Sequence, residues 1–148
     1  IKENSKINWI NLAVYTHNGT ISFHSKALGA GIHSIRDRGF AFGTEVLTVS
    51  CIRVDTFCER IHISNLDVIK IDVEGCTYEV LESFGDMLQN TKIMHIETET
   101  VPYFENQLLE PEVFAFLLGH NFTMLKLEQC GDLAQNDSVW INNTLLRR

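Results

Sequence analysis

Residues 67–75, Asp-Val-Ile-Lys-Ile-Asp-Val-Glu-Gly, constrain the fold more than any other stretch of the chain. Val68, Ile69, Ile71 and Val73 form an apolar run too short for a helix of its own and typical of a strand buried on both faces of a parallel sheet. A helical pattern begins just behind it. Tyr78, Leu81, Phe84 and Leu88 recur at the spacing of one apolar face, and Glu79, Glu82 and Asp86 occupy the other. Asp72 and Glu74 therefore fall at the carboxyl end of a strand, the edge along which open α/β sheets bind ligands. Two acids placed there need a partner, a metal or a substrate.

The flanking segments extend this pattern. Residues 7–15 read as a strand, and His17-Asn-Gly-Thr20 as a hairpin turn into a second strand over 21–24. Residues 25–44 contain Gly29, Gly31, Gly39 and Gly43 and little periodicity, the mark of a long surface loop, and such loops in compact domains are often functional. Residues 45–53 alternate as a strand, and 54–60 form a short helix with Asp55 near its start. Residues 91–98 are a strand carrying Glu97 at its end. Residues 111–118 form a helix with Pro111 in the first turn and Gly119 as its stop, and 122–127 and 138–141 are closing strands joined through Gly131-Asp132. This order is the second half of a doubly wound α/β sheet that ends in an antiparallel hairpin. No glycine-rich GxGxxG turn opens a helix after a strand, so the usual nucleotide cradle is not among these residues.

At 148 residues and 45% hydrophobic content the chain supports one core, and a single domain over residues 1–148 is expected. A net charge of −7 argues against a nucleic-acid partner. No run approaches the roughly 20 apolar residues of a bilayer span, and no signal-peptide pattern opens the chain, so no membrane partner is expected. Cys51, Cys58, Cys76 and Cys130 have neither metal-site spacing nor the density of a disulfide scaffold and read as free thiols. Sequons at Asn18, Asn121, Asn136 and Asn142 keep a secretory route open, but Asn121 precedes a strand where a glycan would be awkward, and the expected compartment is the cytoplasm.

Lys70-Ile-Asp-Val-Glu-Gly75 followed by Val80-Leu81 resembles the signature of the FkbM family of S-adenosylmethionine-dependent methyltransferases. Asn11-Leu-Ala-Val14, Ile52-Arg-Val-Asp-Thr-Phe57, Ile96-Glu97 and Leu118-Gly-His-Asn-Phe122 match further family segments in the same order, so the resemblance covers nearly the whole chain. Cys76 and Thr77 depart from it, since the family commonly has Ala and Glu after the motif glycine. The resemblance implies a class I methyltransferase sheet of Rossmann-like, mostly parallel design, seen here without its first β-α-β unit. It also implies S-adenosylmethionine as cofactor and a small-molecule acceptor such as a sugar hydroxyl. The absent first strand would lie between the strand near residue 10 and the Asp-rich strand, which leads us to expect that these residues belong to a longer polypeptide.

The resemblance points to Asp72 as the group that positions or deprotonates the acceptor, because methyl transfer to oxygen asks an enzyme for alignment and a base. Asp72 would also border the cofactor, together with Asn11 and Ala13 at the end of the first strand. Glu74 either contacts substrate or caps the following helix. Glu97 either joins Asp72 and Glu74 in the catalytic group, where three acids have the chemistry to hold a divalent metal, or pairs with Lys70 or a loop arginine. Lys70 reads as a structural ion-pair partner, His95 as a core histidine, and Phe114, Phe116 and Phe122 as core. His24, His33, Ser34 and Arg36 are candidates for acceptor contact or simply a solvated loop. Two rivals remain: a catalytically inactive interaction module of the same fold, and a metal-assisted hydrolase using Asp72, Glu74 and Glu97.

Overall fold

The structure is a computed structural model, and it describes residues 7–25, 33–37, 45–130 and 134–145. The chain forms strand β1 (Ala13–Val14), β2 (Gly19–Ser25), β3 (Glu45–Ile52), helix α1 (Val54–Arg60), β4 (Leu66–Ile71), α2 (Thr77–Glu82), a 3-10 helix (Gly85–Asn90), β5 (Thr91–Glu99), α3 (Glu110–Gly119), β6 (Phe122–Gln129) and β7 (Gln135–Asn142). The strands make two sheets, ordered β1-β3-β2 and β4-β5-β7-β6.

This mixed α/β arrangement corrects the expectation of one mostly parallel sheet. Among the described residues only β1–β3 and β4–β5 pair in parallel, while β2–β3, β5–β7 and β6–β7 are antiparallel. The reason lies at the junction between the sheets. β1 and β4 are both edge strands, and the lane between them, where further parallel pairing would join the sheets, is not filled by any described strand. An apolar groove of about 380 Å³ occupies that lane, with Val14 of β1 and Val54, Phe57 and Cys58 of α1 on one side and Leu66, Ile69 and Ile71 of β4 with Phe84 on the other.

Several local expectations change for the same reason. β4 is not buried on both faces: Val68 is 64% exposed, and β5 is the one ladder partner of β4 among the described residues. The strand expected over 7–15 shrinks to Ala13 and Val14, and Trp9 before it is 87% exposed. The Asn18-Gly19 turn does not join a hairpin, since β1 and β2 each pair with β3, and Cys51 faces both Ala13 and Gly19. Asn18 instead ties the turn to α1, accepting from the Arg53 amide at 2.9 Å and donating to Thr56 Oγ1 at 3.1 Å. The expected β6–β7 hairpin is present, and its connection, residues 131–133, lies outside the described residues, as do 26–32 and 38–44 of the long loop.

The core sits where α2, the 3-10 helix and α3 cover one face of the second sheet. Leu81, Phe84, Leu88, Met94, Ile96, Leu117, Phe122 and Trp140 are all buried, and Tyr78, Phe114 and Phe116 pack against them. Each fully buried side chain of this size contributes about 1.5–3 kcal/mol. The Trp140 indole stands edge-on to Phe114 and donates to Ser138 Oγ at 2.8 Å, which satisfies its one polar atom. Asn142, 1% exposed, donates to the carbonyls of Gln89 and Thr91 at 3.1 and 3.0 Å, so this sequon asparagine is spent on joining β7 to the start of β5.

The apolar pattern read across residues 78–88 is one buried face, but two helices carry it. At Gly85 the backbone turns to φ +48°, a value that suits glycine, and α2 gives way to the 3-10 helix. A Cβ there would stand 2.7 Å from Asp55 Oδ2, so α1 packs directly against the break.

Candidate active site

The loop after β4 carries the motif acids into a cavity of about 410 Å³. Leu12, Ala13, Val14 and Phe23 form its apolar wall on the first sheet, Val73 and Val80 line the opposite side, and Asp72, Glu74, His33 and Ser34 bring polar groups to it. The cavity thus lies between the ends of β1 and β4, at the mouth of the unfilled lane. Ala13 is in its lining; Asn11 is exposed and is not.

Asp72 is exposed one residue beyond β4, with Lys70 Nζ 3.2 Å from its Oδ2. Lys70 also reaches Asp137 Oδ1 at 3.4 Å, which bears out an ion-pair role for it. Glu74 does not cap the next helix: the N-cap of α2 is Cys76, and no side chain bonds there. The Glu74 carbonyl instead accepts from Ser34 Oγ at 2.5 Å. That bond comes from a strap over residues 33–37, anchored because Ser34 exchanges two backbone hydrogen bonds with His24 of β2. Two residues on, Arg36 pairs with Glu79 of α2 and donates to the Glu105 carbonyl at 2.8 Å. The strap roofs Cys76, whose thiol is pushed up to about 11 by burial and then by the Glu79 charge. It is therefore held as the neutral thiol and is not a nucleophile at ordinary pH.

Among the described residues Glu97 forms no ion pair with Lys70 or with an arginine. Gln135 Nε2 donates to its Oε1 at 3.2 Å, and burial, followed by the charges of Asp72, Glu74 and Asp137, raises its carboxyl above the usual range. His95 is not a core residue: it is partly exposed and its Nε2 lies 3.2 Å from Asp137 Oδ1.

Alternation along β5 puts His95, Glu97 and Glu99 on one face. Glu99, which the sequence reading passed over, is the most buried of the three at 3% exposure, and its Oε1 accepts from the Gly75 amide at 3.0 Å. Its carboxyl is pushed up to about 7, first by burial, against the Gly75 amide that favours the charged form, and then by Glu74 and Glu97. From about pH 4.5 to 7 the folded chain retains a proton that the unfolded chain has released. Stability therefore falls as pH rises through this window, by up to about 3 kcal/mol for this one group. Denaturant unfolding at about pH 5 and pH 8 checks this, with Glu99→Gln expected to flatten the difference.

The chain matches the family profile described as Methyltransferase FkbM domain over residues 1–133. It belongs to the FkbM methyltransferase domain family. No curated protein and no solved structure matches it. Membership implies methyl transfer in general and use of S-adenosylmethionine. The cavity of this FkbM domain suits that donor: its apolar wall offers a surface for a flat ring, and the acids Asp72 and Glu74 would face a sulfonium charge. A resident metal is not supported. Asp72, Glu74 and Glu97 do not bring ligand atoms together among the described residues. The group that does converge is Glu97, Cys130 and Asp137, within 4.8 Å. Its donors are already engaged, since Asp137 takes Lys70, His95 and the Cys130 thiol proton, and Glu97 takes Gln135.

Proposed function

We propose that this FkbM domain transfers methyl from S-adenosylmethionine to a hydroxyl of a sugar or another small molecule, with Asp72 as the residue that aligns the acceptor and takes its proton. The observation that carries the reading is the cavity that brings Ala13 of β1 together with Asp72 and Glu74 of the loop after β4. When bound, the cofactor supplies an electrophilic methyl on a sulfonium. The chain supplies the rest. The apolar wall from Leu12 to Val14 and Phe23 excludes water from the donor, while Asp72, exposed at the rim, meets an acceptor arriving from solvent. Lys70, 3.2 Å from Oδ2, holds the Asp72 carboxylate in one place. Glu74, fixed by the Ser34 bond at its own carbonyl, is placed to accept a hydrogen bond from a neighbouring hydroxyl.

The open edges of β1 and β4 support a further reading, that an additional strand of a longer polypeptide lies between them and completes the donor side of the cavity. Among the described residues no helix is long and apolar enough to cross a membrane. The free thiols of Cys51, Cys58, Cys76 and Cys130 favour a reducing compartment, so we place the protein in the cytoplasm.

Calorimetric titration of S-adenosylhomocysteine tests the donor site. Binding that is lost in Ala13→Trp, which fills the cavity, is the expected result; no binding to the natural full-length chain would favour the inactive interaction module. Against a panel of sugar acceptors, Asp72→Asn should lower the methylation rate by roughly 10²–10⁴-fold while leaving S-adenosylhomocysteine affinity little changed.

A further inference from the structure

We propose that Glu99 is a positioning residue of this site, whose buried carboxylate grips the Gly75 amide from behind and so sets where Asp72 and Glu74 stand. The role rests on the methyl-transfer reading above, but the grip itself is visible without it. The loop from Asp72 to Cys76 turns sharply at Gly75, where φ is +74°, and this turn carries both motif acids into the cavity. Besides the Lys70–Asp72 ion pair at its start, contacts among the described residues hold the turn itself. Ser34 takes the Glu74 carbonyl on the strap side, the Phe104 ring lies over the Gly75 α-carbon, and Glu99 takes the Gly75 amide from the sheet side. Only the last of these contacts is made by an ionisable side chain.

The surroundings of Glu99 make its charge state consequential. The charges that bear on it are both negative, Glu74 from the loop it holds and Glu97 on its own strand. Across the ladder its partner on β7 is the neutral Gln135. From α3, Glu110 reaches the opposite face of β5, where it accepts from Thr98 and Asn136. Phe104, which lies over Gly75, is itself buried. A carboxylate in this setting draws the Gly75 amide into a charge-assisted bond, which is shorter and about twice as strong as one to a neutral acid. Protonation weakens that bond, relieves repulsion with Glu74 and lets the loop relax away from β5. The position of Asp72 and Glu74 thereby depends on a proton held at a residue that never meets the substrate.

The test follows the amide resonances of Asp72, Glu74 and Gly75 in the folded chain from about pH 5 to about pH 9. The expected result is one inflection near 7 shared by all three, with the Gly75 proton moving downfield as Glu99 ionises. Glu99→Gln keeps an oxygen that accepts from Gly75 but cannot titrate, so its three amides should lose the inflection. A Gly75 resonance that does not move overturns the proposal, as does movement confined to Gly75 or an inflection that survives in the glutamine variant. If that variant does not fold, the wild-type series decides alone, shared inflection for and its absence against. S-adenosylhomocysteine titrated at the same pH values separates the two readings: no binding at any pH strikes at the methyltransferase assignment and leaves the amide result standing.

Discussion

Gly75→Ala should destabilise the fold by roughly 2–5 kcal/mol, a large part of the 5–15 kcal/mol that holds a typical domain together. Two independent costs add. Alanine at φ +74° sits in the left-handed region, which costs about 1–2 kcal/mol. Its Cβ would also meet Phe104 Cδ2 at 2.4 Å, and Phe104 is buried and cannot simply swing to solvent. Forcing an extra methyl into packed surroundings costs about 1–3 kcal/mol more. Urea unfolding should show a lowered midpoint with an unchanged slope. The double variant Gly75→Ala with Phe104→Leu separates the terms, because relieving the ring contact should recover the steric part and leave the backbone part. A single variant as stable as the parent would mean that the loop after β4 is not held as described. Gly85→Ala has the same logic at the α2 break, with the carboxylate of Asp55 in place of the ring.

Arg36→Ala should cost a comparable amount, about 3–5 kcal/mol, because it strands Glu79 in the interior. Both side chains of this pair are largely covered, at 14% and 10% exposure, and one Glu79 oxygen already lacks a hydrogen-bond partner. Urea unfolding of the variant against the parent reads this loss as a lowered midpoint. The Arg36→Met, Glu79→Met double variant should recover most of the stability, as well-packed apolar replacements of buried pairs often do. Recovery would show that the pair specifies the strap over the cavity more than it stabilises the fold. Equal losses in the single and double variants would assign the effect to packing of the Arg36 stem instead.

The elements that were legible in the residues are those whose signals are local. β3, α1, β5 and α3 appear where alternation or helical spacing, bounded by Pro111 and Gly119, placed them. The apolar face of Tyr78, Leu81, Phe84 and Leu88 was legible too, but the interruption at Gly85 was not, and the group packed against it is Asp55, thirty residues earlier in the chain. The Asn18-Gly19 pair carried a correct turn signal and a wrong partner: a turn dictates local backbone, while β3, far along the chain, takes both strands. β4 read as a strand covered on both sides because composition records where a strand is meant to lie, and it cannot show which neighbours are present.

The candidate site divides in the same way. Asp72 and Glu74 were legible because strand ends in α/β sheets concentrate ligands, Ala13 was named through the family resemblance, and all three line one cavity. Glu99 lies two residues beyond Glu97 on the same face of β5, so alternation alone would have offered it, but its partner is a backbone amide, which no side-chain pattern marks. The strap at Ser34 and Arg36 was invisible for a different reason. Its contacts span some forty residues, and its segment has no periodicity to read.

The unfilled lane between β1 and β4 gives the molecule a mechanical character. Among the described residues its two sheets share no ladder and are fastened like two leaves by a clasp at either end. At one end Arg53 donates to Thr16 and Glu82 while the Asp55 amide bonds to Ser83; at the other, Ser34 and Arg36 reach Glu74 and Glu79. Anything that enters between the leaves must work against one clasp or the other. Tightening a clasp would therefore trade accommodation for rigidity, and the range of molecules admitted would be set by bonds that none of them touches.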